Sequence, residues 1–258
     1  ASFLPWLTAT AFLHSAMVMQ RRGTLKTWSV TLIMVTFLLT LLGTFMTRSG
    51  VFNSVHSFDQ TQIGPTFLVF IAITFVSSVV LLAFRDSVLQ SDTAPKKPAL
   101  FSREVIILVQ NLLFSLFTFT VLLGTLYPLI IEAIDGTRVS VGEPFFERMA
   151  LPLCIAIIFL MGVGPAIPWG RMASRVVART FLPPLVLSVL VAVAFYMAGY
   201  HKPYFLMAMA NVSFALWLTI AEILRPIIAR KRGKREPLVV AAIKATTKTH
   251  RRFGGHLS

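Results

Sequence analysis

Seven long apolar runs, joined by short loops of contrasting charge, constrain this chain more than any other feature. They fall at about 2–20, 27–47, 64–84, 105–131, 149–168, 181–199 and 203–224. A helix rises about 1.5 Å per residue and a bilayer core is about 30 Å thick, so roughly 20 apolar residues suffice to cross it. The runs are continuously apolar rather than alternating, which favours helices over a β-barrel. Of 258 residues, 56% are hydrophobic and only 13% are charged, too little polar surface to cover a soluble fold. These features predict an all-α fold, a polytopic transmembrane helix bundle of about seven spans.

The formal net charge of +14 would suggest nucleic acid on a soluble protein. Here the cations sit in particular loops. Arg21, Arg22 and Lys26 occupy the first, Arg85, Lys96, Lys97 and Arg103 the third, and Arg171, Arg175 and Arg179 the fifth. The fourth is acidic on balance, with Glu132, Asp135, Glu143 and Glu147. Basic loops stay on the cytoplasmic side, so the N-terminus and loops two, four and six are expected outside and the tail inside. Residues 1–224 then form the helical bundle, and 225–258 form a basic cytoplasmic segment leading to a further span. The absence of an initiating Met, and an end at Gly254-Gly255-His256-Leu257-Ser258, read as a piece of a longer protein.

Ionisable groups inside spans are expensive and are functional candidates by default. His14 is the clearest. It lies seven residues before Arg21, so about 10 Å inside the inner boundary, on a face with Thr10 and Met17. It reads either as a packing histidine or as a metal or heme ligand or proton relay. The second candidate is the loop from Thr47 through Arg48 to His56 and Phe58. It reads as a solvated loop with an interfacial arginine, or as an outer site where His56 ligates a cofactor and Arg48 grips its anionic groups. Gln110, Asn111 and Asn211 read as inter-helix hydrogen bonds, Glu222 as a partner of Arg225, and His201 as a solvated turn residue. Gly162, Gly164, Pro165 and Pro168 suggest a kinked or broken helix end. Cys154 is alone in an apolar run, so no disulfide forms within the chain. No phosphate loop, nucleophile elbow, paired-carboxylate pattern or zincin motif supports a hydrolase or nucleotide-dependent enzyme.

Taken in order, several stretches resemble one family. Ala1-Ser2-Phe3-Leu4-Pro5-Trp6-Leu7 resembles the end of a tryptophan-rich WWD heme-handling motif. The segments ATAFLHS, LLGTFMTRSGVFNSVHSF, LLGTLYPLI, VSVGEPFFERM and GVGPAIPWGR are similar to CcmF, the heme lyase family of System I cytochrome c maturation. The resemblance implies that His14 is one axial ligand of an intramembrane heme b. It implies that His56 is an outer-face ligand of heme delivered by the chaperone CcmE, with Arg48 as a propionate contact and Trp6 as a heme contact. Both metal roles are to heme iron.

The family's second heme b histidine would fall just after Ser258, in a slot that His256 does not match. The resemblance further implies CcmH/CcmI-type apocytochrome-presenting subunits, apocytochrome c and quinol as partners. It implies a place in a heme lyase complex of the bacterial inner membrane, or of a mitochondrial inner membrane. The alternatives are a secondary transporter or permease, which would carry paired broken helices, and a purely structural membrane subunit.

Overall fold

The computed structural model describes residues 2–48, 63–85, 89, 101–137, 139–169 and 172–234. Among the described residues, seven long helices follow the apolar runs in order: α1 (Phe3–Arg22), α2 (Lys26–Arg48), α3 (Ile63–Phe84), α4 (Arg103–Asp135), α5 (Glu143–Ala166), α6 (Ser174–Met197) and α7 (Pro203–Lys234). No strand occurs among the described residues. The chain is thus an all-α, multi-pass membrane protein.

Among the described residues, six helices, α2 to α7, are long and apolar enough to cross a bilayer. α1 has 20 residues but is more polar, because Thr8, Thr10, His14, Ser15, Gln20, Arg21 and Arg22 dilute its hydropathy. Its buried positions explain how it is tolerated. Leu4, Leu7, Thr8, Ala11, Ser15 and Val18 recur every three or four residues, so one stripe faces protein and takes Thr8 and Ser15 out of lipid.

The chain divides into two compact units, one of residues 1–97 and 107–150, the other of 98–106 and 151–258. In the first, Arg21 and Arg22 in the last turn of α1 complement its dipole. Gly23 then turns the chain at φ 69°, a left-handed conformation that costs glycine little, and its N–H bonds Met19 O at 2.8 Å. α2 starts at Lys26 and runs back along α1. The hydroxyls of Thr8 and Thr36 meet at 2.8 Å and fix the level at which the two helices pair. α3 packs on α2 and otherwise presents apolar surface outward. α4 crosses α1, with Phe117 set edge-on against Phe3 at 5.4 Å between centroids. Phe145 and Phe146 of α5 lie against Gly124 of α4, where a Cβ would come within 2.8 Å of the Phe145 ring.

In the second unit, Val163, Ala166 and Ile167 pack with Phe214 and Leu218 of α7, and Phe159 and Phe181 stack on the Phe214 ring. Asn211 donates to the Ile155 carbonyl, the inter-helix bond expected of it. Glu222 pairs with Arg225, again as expected. The broken helix end foreseen at 162–168 is held by Arg103. Its Nε donates to the carbonyls of Gly164 at 3.1 Å and Ile167 at 3.0 Å, and its Nη2 to that of Pro165. α7 continues ten residues past the end of the last apolar run, to Lys234. Residues 235–258, with His250 and His256, lie outside the described residues.

Candidate functional site

α1 presents His14 at the edge of its buried stripe. Its chain neighbour Ser15 is fully buried, while Met17 on the His14 face is 44% exposed. The ring therefore sits half in the seam with α4 and half toward the outside of the pair. Within the seam it tilts against Phe114, with centroids 5.9 Å apart. Nδ1 of His14 is buried and has no hydrogen-bond partner among the described residues. A buried polar atom normally has a partner, so this one invites a functional explanation.

Beside it, Asn111 of α4 is 2% exposed and donates from Nδ2 to Ser15 Oγ at 2.7 Å. Asn111 Oδ1 is also buried without a partner among the described residues. Asn111 was expected to bond between helices, and it does. That its partner is Ser15, the residue after His14, is not visible from the sequence, because the bond forms only once α1 and α4 meet.

No group of three or more His, Cys, Asp or Glu side chains that could bind a metal ion occurs among the described residues. A lone imidazole makes a poor cage for a bare ion. It suits an iron that arrives with four porphyrin nitrogens already bound and needs only axial ligands. The unpartnered ring, open on its Met17 side, fits that chemistry.

The other candidates are dispersed. Trp6 lies eight residues before His14 on the same helix, about 12 Å along the axis, with its ring 57% exposed and stacked on Phe3 at 5.9 Å. Arg48 ends α2 and is exposed. From the Thr8–Thr36 level, helix rise carries Arg48 about 15 Å further along the hairpin than Trp6. The structure therefore does not set these two side by side. His56 lies outside the described residues. His201, for which no convergence was expected, has the Tyr196 ring edge-on at 4.8 Å. In the sequence Arg103 is one of several loop cations. The carbonyls left free where Gly164 and Pro165 end α5 were the signal that a fork-shaped donor belongs there.

No family model matches the chain. Comparison with curated proteins is decisive. Cytochrome c-type biogenesis protein CcmF of Pseudomonas aeruginosa is 40% identical over 195 residues, covering 75% of this chain and 29% of that protein. CcmF of Escherichia coli K12 is 35% identical over 238 residues, covering 90% of this chain and 36% of that protein. The chain is homologous to the CcmF proteins. CycK of Rhizobium meliloti, also a cytochrome c-type biogenesis protein, is 42% identical over 201 residues, 77% of this chain and 29% of that protein. Among solved structures, cytochrome c heme lyase CcmF matches with a TM-score of 0.66 and 32% identity, over 94% of this chain and 36% of that one. The chain spans about a third of the length of the CcmF relatives it matches.

Proposed function

We propose that this chain is a heme-binding membrane component of the machinery that ligates heme to cytochrome c. The observation that carries the reading is His14, a partly buried imidazole within an apolar helix of a chain homologous to CcmF. In this reading His14 would be one of two histidine ligands to the iron of an intramembrane heme b, the second role falling to no histidine of this chain. His56 ligates a second heme at the outer face, taken from CcmE and destined for the Cys-x-x-Cys-His segment of apocytochrome c. CcmH/CcmI-type subunits present that segment, and the whole assembly acts as a lyase in the bacterial inner membrane. The basic segment after residue 224 lies on the cytoplasmic side.

The residues divide the work by position. When bound, heme b supplies a one-electron carrier between quinol and the outer heme. His14 would hold it, with Phe114 of α4 beside the ring. Trp6 lies about 12 Å from His14 along α1, on the side that the charge bias places outward, where an aromatic face can lie against a porphyrin. Arg48 ends α2 on the same outward side, where a guanidinium can grip a propionate.

Complementation with the full-length protein tests the division of labour. His56→Ala should retain heme b and block cytochrome c maturation. Normal maturation in that variant would remove the outer site from the account.

A further inference from the structure

Two buried polar atoms in the seam between α1 and α4 have no hydrogen-bond partner among the described residues, Nδ1 of His14 and Oδ1 of Asn111. They are chemically complementary. An imidazole that gives its Nε2 lone pair to iron carries its proton on Nδ1, and an amide oxygen is a pure acceptor. The Asn111 amide is already oriented, because its Nδ2 donates to Ser15 Oγ at 2.7 Å. That bond occupies the nitrogen end and leaves the oxygen end as the one with capacity.

Position brings the two residues to one level of the seam. Ser15 is the chain neighbour of His14. Phe114, one helical turn from Asn111 and on the same face of α4, lies 5.9 Å from the His14 ring between centroids. Asn111 is thus tied to the residue after His14, and the histidine is flanked by the next aromatic along α4.

We propose that Asn111 is a positioning residue for His14, its Oδ1 accepting the Nδ1–H of the imidazole while Ser15 holds the amide in place. The proposal rests on the reading of His14 as an axial heme ligand. Ligating histidines commonly donate their second ring N–H to an outer acceptor, which fixes the tautomer and raises the ligand's basicity. A more basic ligand favours the ferric iron and lowers the reduction potential.

The experiment is a redox titration of heme b in the full-length protein, with heme content measured alongside. Asn111→Leu removes the acceptor and should raise the midpoint potential. Asn111→Asp keeps an oxygen in the same place and should hold the potential at or below that of the parent. Ser15→Ala frees the amide and should produce a smaller rise. Asn211→Leu, which removes an inter-helix amide bond elsewhere, should lower thermal stability without moving the potential. If Asn111→Leu cannot retain heme, Ser15→Ala carries the test. Heme-loaded Asn111→Leu and Ser15→Ala with the parent's potential would overturn the proposal while leaving His14 as ligand. Retention of the full heme b spectrum by His14→Ala would instead remove the reading on which the proposal stands.

Discussion

Gly162 of α5 lies so close to Ala215 of α7 that a Cβ added to it would stand 2.8 Å from the Ala215 Cα. The neighbour is backbone, which cannot rotate away as a flexible side chain would. Small residues at such crossings let membrane helices approach and gain dispersion contacts, since lipid offers no hydrophobic drive between them. Gly162→Leu should therefore force α5 and α7 apart and destabilise the second unit by about 1–3 kcal/mol. Thermal unfolding of the purified protein in detergent checks this. An unchanged transition would show that the crossing is looser than the structure has it.

Arg103 fastens the end of α5 through three carbonyls, of Gly164, Pro165 and Ile167, with its guanidinium 5.8 Å from the Trp169 ring centroid. Hydrogen bonds from a charged donor contribute about 1.5–3 kcal/mol. Arg103→Leu should cost about that much. Arg103→Lys should recover only part of it, because one ammonium cannot reproduce a planar fork. Limited proteolysis at the α5–α6 connection reads the outcome, with faster cleavage expected in the order Leu, Lys, parent. Parent-like cleavage in Arg103→Leu would mean that Pro165 and Pro168 shape this end without help.

Trp6 is a separate case, because its ring is 57% exposed and contributes little to the core. Trp6→Ala should change stability by no more than about 0.5 kcal/mol. It should leave heme b absorbance intact and lower cytochrome c maturation in cells. A loss of heme b in this variant would mean that the outer and intramembrane functions of α1 are not separable.

Much of the fold is written in the hydropathy pattern, and its departures have physical causes. The runs 27–47 and 64–84 match α2 and α3 within a residue or two, because both helices end where apolar sequence ends. α6 begins at Ser174 and α7 ends at Lys234, well outside their runs, because helical hydrogen bonds continue through Arg175, Arg179 and the basic stretch after Glu222. Hydropathy marks where the solvent changes, not where the helix does. Pro128, Pro152, Pro183 and Pro184 all stay inside helices, which neighbouring helices and side chains allow in a membrane protein.

The site was half legible. An imidazole within an apolar run singles out His14 on cost alone. Asn111 is bonded to Ser15 across 96 residues of sequence, and nothing in either neighbourhood says that α1 and α4 meet. Arg103 was obscured because a cation in a basic loop already had a simple explanation in membrane orientation.

The most direct test of the account is the visible spectrum of the full-length protein carrying His14→Gly, purified and compared with the parent at equal protein concentration. Loss of the heme b Soret and α bands is expected, with recovery when imidazole is supplied to the cavity left by the side chain. Bands of parental position and amplitude in the variant without imidazole would contradict it.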